Sequence, residues 1–342
     1  MKLTRMALQR TTAPLKRRAL RQYAGAVKKV FRSLLALALL LSPALRIGAQ
    51  TNTDAFLFST FKEPDQDGLR FAYSFDGYQW TNVPGVFLKP EVGGKIMRDP
   101  SVLRGPDGVF HAVWTTAWRG DKGFGYASSK DLVHWSEQQF VPAMEHEPTT
   151  CNTWAPELFY DDRAKQFLIC WASTIPGRFP DYLEASTNNH RMYYTTTRDF
   201  QSFAPTKLFL DPGFSVIDCC IVQRDADYVL VLKDNSRPFR SLRVAFGESP
   251  AGPWHDLSTP FTTQFTEGPT VLKLGRDWMI YYEAYQAKHY AAAKTRNFKS
   301  FVGATQAMTF PEGLKHGTAL RVPREILDAL LLAGSTSAEN KQ

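Results

Sequence analysis

Cysteine is scarce, helical periodicity is sparse, and acidic residues are missing from the first forty-nine positions. The four cysteines, Cys151, Cys170, Cys219 and Cys220, contain no C-x-x-C spacing. That excludes the common zinc and dithiol motifs. Cys219 and Cys220 are neighbours, and in a strand they point to opposite faces. A disulfide is permitted by this pattern and not demanded by it.

Residues 1–49 hold eleven Lys and Arg and no Asp or Glu. An apolar run, SLLALALLLSPAL, covers 33–45 and is too short to span a bilayer comfortably. Ile47-Gly48-Ala49 then places small residues before Gln50. Basic, apolar, small is the order of a secretory signal peptide. The sequence therefore predicts cleavage near Gln50 and a secreted or periplasmic product with no further tie to the membrane. A retained anchor helix is the alternative. Of the 41 Lys and Arg, thirty remain beyond residue 49 against 33 Asp and Glu, so that part is near −3. The basic balance belongs to the leader, which removes the electrostatic case for nucleic-acid binding.

What is present is an all-β pattern: short apolar runs rich in aromatic and β-branched residues, divided by Gly, Pro, Asp and Asn. Five segments share one ending: SFDGYQW (74–80), SKDLVHW (129–135), TRDFQSF (197–203), ESPAGPW (248–254) and TRNFKSF (295–301). In four of them Ser or Thr stands six residues before an aromatic, and Asp or Asn four before it. An Asx turn explains the second residue. Two strand-like runs precede each ending. An opening strand precedes four of the five units, at 99–103, 155–160, 217–222 and 267–272. The first unit lacks one, and residues 316–322 near the other end of the chain can supply it. The expected fold is a five-bladed β-propeller of four-stranded antiparallel blades, closed by a C-terminal strand, with short protected edges. Residues 50–325 form the propeller and 326–342 a tail. A β-sandwich would not explain five similar units.

The first strand of a propeller blade lines the central channel. Asp99, Glu157, Asp218, Glu267 and His316 stand at the starts of these strands and are predicted to converge at equivalent positions. One such carboxylate is readily a turn or ion-pair residue; five together call for another reason. Glycoside hydrolysis needs two carboxyls of different protonation state, and a third can raise the proton affinity of the acid. Trp114, Trp154, Trp171 and Tyr285 are candidates to stack on sugar faces.

Arg98-Asp99-Pro100-Ser101, Trp154-Ala155-Pro156-Glu157, Ser215-Val216-Ile217-Asp218, Thr266-Glu267-Gly268-Pro269 and His316-Gly317 follow one another in blade order. Over residues 54–322 the chain resembles the family 43 glycoside hydrolases, five-bladed propellers of the arabinofuranosidase and xylosidase type. The resemblance implies that Asp99 is the general base, Glu267 the general acid and Asp218 the residue that modulates the acid. It also implies that Arg98, Trp114, Trp154, Glu157 and His316 contact a carbohydrate substrate. His316 would stand near a bound ion, reached through water, with a structural Ca2+ in the channel as that ion; the reaction itself needs no cofactor. Glu157 stands where Asp is commoner, Cys219 where Pro is common, and a blade precedes the Asp99 strand. The fructan-cleaving propellers also carry Arg-Asp-Pro, but their Asn-Asp-Pro nucleophile motif is missing here. An inverting glycosidase is the expected activity. A glycan-binding propeller without catalysis and a protein-interaction propeller are the rivals.

Overall fold

The computed structural model describes residues 54–180 and 184–339. The predicted leader, 1–49, lies outside the described residues. Four sheets have four strands each, and every strand pairing is antiparallel. Blade I joins β1 (Asp54–Thr60), β2 (Leu69–Ser74) and β3 (Thr81–Leu88) to β19 (Ala319–Pro323). Blade II is β4 (Arg98–Arg104), β5 (Phe110–Thr115), β6 (Phe124–Ser129) and β7 (Gln139–Val141). Blade III is β8 (Trp154–Asp161), β9 (Gln166–Ser173), β10 (Arg191–Thr197) and β11 (Lys207–Leu210). Blade IV is β12 (Val216–Gln223), β13 (Tyr228–Asp234) and β14 (Ser241–Gly247). Blade V is β15 (Thr266–Leu274), β16 (Asp277–Ala284), β17 (His289–Thr295) and β18 (Val302–Gly303).

The fourth place in blade IV is taken by an irregular segment. Phe246 and His255 exchange backbone hydrogen bonds of 2.9 and 2.8 Å, and the amides of Ser258 and Phe261 donate to Val244 and Leu242. The five-bladed, all-β architecture read from the repeats is the architecture of the protein.

Both faces of a blade are covered, so strands such as FHAVWT and YVLVLKD are buried throughout. The apolar residues form five clusters, one at each junction between neighbouring blades. Alternation within a strand divides them: Ala112 and Trp114 face blade I, while Val113 faces blade III. Cys219 and Cys220 likewise enter different clusters, and all four cysteines are free thiols.

Four of the five repeated endings are Asx turns. Asp76 Oδ1 accepts from the amides of Tyr78 and Gln79, and Asp131, Asp199 and Asn297 repeat the arrangement. The Ser or Thr two residues earlier accepts from a backbone amide, as Ser129 does from Leu132. The turn satisfies backbone groups that no ladder reaches.

Ring closure follows the expected partners with a later start. β19 pairs with β1 from Asp54↔Pro323 to Phe58↔Ala319, and the Ser59 amide extends the contact to Thr318 O at 3.0 Å. The strand begins at Ala319 rather than 316, because Lys315 and His316 are engaged by Glu283 and Asp99. The segment read as a tail holds most of a helix, α1 (Arg324–Glu339). Ile326, Leu327 and Leu330 bury one face of it in the cluster between blades I and II. Gly334 permits close approach, since a Cβ there would stand 2.2 Å from Pro84 O. Among the described residues no helix is long and apolar enough to cross a membrane.

Candidate active site

Each of the inner strands β4, β8, β12 and β15 opens with a bulge, at 98–101, 154–157, 217–220 and 267–270. The residue inside it is left-handed: Asp99 (φ 50°), Ala155 (46°), Asp218 (52°) and Gly268 (57°). Bulges of this kind re-aim a side chain, and a non-glycine residue at positive φ is strained. The register corrects one expectation. Asp99 and Asp218 are equivalent, but Glu267 comes one position before the left-handed residue and Glu157 two positions after it. The carboxyls therefore meet from different levels of the strands.

On the blade I–II side, Asp99 Oδ2 accepts from Thr115 Oγ1 at 3.0 Å, and its Oδ1 is 3.5 Å from His316 Nδ1. Burial alone would raise the Asp99 carboxyl. The charge of Arg98, then His316 and the Thr115 hydroxyl, outweigh it and hold the carboxyl below its ordinary 3.8. His316 is itself lifted to about 9 against the effect of burial, chiefly by Asp218 and Asp99. The ring is therefore an imidazolium at neutral pH, enclosed by carboxylates.

On the blade IV–V side, the Gly268 amide donates to Asp218 Oδ2 at 3.1 Å. Burial foremost, reinforced by the charges of Glu267 and Asp99, raises the Asp218 carboxyl although His316 and Lys233 act the other way. Glu267 Oε2 accepts from Lys233 Nζ at 2.5 Å. Gly268 packs on His316, where an added Cβ would come within 2.7 Å of the ring. The imidazolium thus joins the two sides.

Glu157 lies further along its strand, accepting from Thr318 Oγ1 at 3.3 Å. Burial lifts its carboxyl to about 7, despite the hydroxyls of Ser101 and Thr318 and the His316 charge. Arg98 is paired with Glu63, and its guanidinium lies between Phe61 and Trp118, 3.8 Å from the Trp118 centroid. Trp154 is partly exposed, donates to Trp118 O at 2.8 Å and rests on His190. Trp114 and Trp171 are corrections. Both are fully buried in interblade clusters and present no ring face to a sugar.

Five neighbours escaped the sequence reading: Lys233, Glu283, Glu63, Lys315 and Trp118. Lys233 and Glu283 stand opposite Ile217 and Glu267, at one repeat position on the second strands. Their signal was a charged residue ending a wholly apolar run, in VLVLKD and MIYYEA. Lys315 bridges Glu283 at 2.5 Å and Glu63 at 2.9 Å, so a chain of ion pairs runs from Glu283 to Arg98. Beside that chain lies a cavity of about 730 Å³, lined by Glu63, Glu283, Tyr285, Lys315 and Phe310 among others. A second cavity of about 740 Å³, between blades IV and V, contains none of the channel carboxylates.

Among the described residues, no three His, Cys, Asp or Glu are grouped to hold a metal. A protonated His316 offers Nδ1–H to Asp99.

The profile of the family described as "Probable glycosyl hydrolase domain", a relative of glycoside hydrolase family 43, matches residues 51–328. No curated protein matches the chain. Solved structures share the fold at low identity. The catalytic domain of a Coprinopsis cinerea family 62 α-L-arabinofuranosidase is 13% identical, with TM-score 0.50 over 68% of this chain and 77% of that one. An exo-β-1,3-galactanase from Phanerochaete chrysosporium is 12% identical, with TM-score 0.50 over 65% of this chain and 53% of that one. A thermostable family 43 glycoside hydrolase is 16% identical, with TM-score 0.48 over 64% and 74%. The five-bladed fold and the profile match over 51–328 agree: this chain belongs to the glycosyl hydrolase family related to family 43, and it is a glycosidase.

Proposed function

We propose that the protein is an exported, inverting glycoside hydrolase acting on arabinofuranosyl, xylosyl or related bonds of polysaccharides and oligosaccharides. Asp99 is the base, Glu267 the acid and Asp218 the neighbour that keeps the acid protonated. In the step, Glu267 gives its proton to the leaving oxygen as the bond from the anomeric carbon breaks. Water attacks from the opposite side and gives its proton to Asp99. Glu267 ends charged, Asp99 ends protonated, and the new C–OH bond has inverted configuration. Arg98, Trp154, Glu157 and His316 hold the sugar. The observation that carries this reading is the pairing of equivalent carboxyls with opposite proton affinities, Asp99 low and Asp218 high, around one imidazolium. Export rests on the basic and apolar order of residues 1–49.

The test is hydrolysis of an aryl glycoside panel with the first-formed anomer followed by proton NMR. The expected result is an inverted product. Glu267→Gln should slow substrates with poor leaving groups by about 10²–10⁴-fold and spare good ones. A retained first product, or unchanged turnover in Glu267→Gln, would overturn the reading.

A further inference from the structure

Lys233 is buried, with 3% of its side chain exposed, in a strand whose other members are apolar except the terminal Asp234. Placing an ammonium there costs several kcal/mol unless it is closely paired. Its partner is Glu267, at 2.5 Å through Oε2, and the Tyr285 ring lies over Nζ at 4.8 Å. The contact is between blades: Lys233 is on β13 of blade IV and Glu267 on β15 of blade V.

We propose that Lys233 is a positioning residue for the proton donor, holding Oε2 of Glu267 so that Oε1 is the oxygen that carries the proton and delivers it to the leaving group. This rests on the reading of Glu267 as the acid. A carboxyl can protonate a leaving oxygen only from an oxygen that is free to carry hydrogen and is aimed at the bond. An ammonium on one oxygen settles which one. The titratable groups around Glu267 are Lys233 from β13, Asp218 from β12, Glu283 from β16 and the neutral phenol of Tyr290 from β17, with His316 packed on the adjacent Gly268. Asp218 and Glu283 are acidic neighbours of Glu267, and Lys233 is its ammonium partner.

The prediction has two parts of opposite sign. In Lys233→Met, turnover of substrates with poor leaving groups should fall by about 10–100-fold with little change in KM, because orientation is lost. At the same time the alkaline limb of kcat/KM should move up, because a positive charge beside the acid is gone. Lys233→Arg should keep the limb near its original place. A purely structural lysine would change amount and thermal stability, and leave the limb where it is. Should Lys233→Met fail to fold, Lys233→Gln gives the same neutral comparison with Lys233→Arg.

A cycle with Glu267→Gln separates this inference from the reading beneath it. If Glu267→Gln leaves turnover unchanged, the acid assignment fails. If Glu267→Gln is impaired but neutral Lys233 variants leave both the limb and the leaving-group dependence unmoved, the positioning role fails. Support requires both shifts in the single variant and no further leaving-group effect in the Glu267→Gln background.

Discussion

Asp99 and Asp218 occupy the same place in blades II and IV, inside the opening bulge, at φ of 50° and 52°. Their proton affinities are driven in opposite directions. Asp99 lies beside Arg98, Thr115 and His316, which favour the anion. Asp218 is slightly less exposed and shares its surroundings with Glu267. The backbone device is common to both; the second strand and the next blade decide the chemistry. Thr115 stands opposite Arg98 on β5, whereas Lys233 stands opposite Ile217 on β13. A repeat fold can thus prepare one depressed and one raised carboxyl from a single structural position.

The sharpest way to break the comparison is to neutralise each member. Asp99→Asn removes the group that accepts the proton of water, and turnover should fall by about 10²–10⁴-fold for good and poor leaving groups alike. Asp218→Asn should act less strongly, mainly on poor leaving groups, and should move the alkaline limb of the rate profile down. Stability should separate them with opposite sign. A depressed carboxyl such as Asp99 contributes stability above its unfolded value, lost as pH falls through the folded one. A raised carboxyl such as Asp218 contributes stability below its unfolded value, lost as pH rises through the folded one. At pH 7, then, Asp99→Asn should lower the melting temperature and Asp218→Asn should hold or raise it. Equal losses in both variants would remove the contrast.

A weaker effect on activity separates core from site among the tryptophans. Trp114 is wholly buried, and Trp114→Ala should cost about 3–5 kcal/mol of stability. Trp118 is 50% exposed against Arg98, and Trp118→Ala should cost within about 0.5 kcal/mol while raising KM. Urea unfolding together with steady-state kinetics distinguishes the two, and a reversed order would return Trp114 to the site.

Much of this was legible in the sequence. The Ser/Thr and Asx spacing marked the blade turns, and the charged residues at the starts of apolar strands marked the channel. The missing first strand pointed to the C-terminal segment. The rest depended on tertiary context. A bulge adds a residue without any composition mark, so the offset of Glu267 and Glu157 from Asp99 could not be counted from the motifs. Trp114 and Trp154 are both tryptophans in apolar strands, and only the covering blade makes the first a core residue. Lys233 and Glu283 end apolar runs at equivalent positions, but their value appears only when the neighbouring blade brings Glu267 and Lys315 to them. Ile326, Leu327 and Leu330 carry the stripe of a packed helix, which a tail reading passed over.

The contrast between the two aspartates is tested most directly by carbon-13 titration of aspartate carboxyls, with Asp99→Asn and Asp218→Asn spectra to assign each resonance. Asp99 should titrate below the ordinary 3.8 and Asp218 above it. Two resonances that titrate together near that value would contradict it.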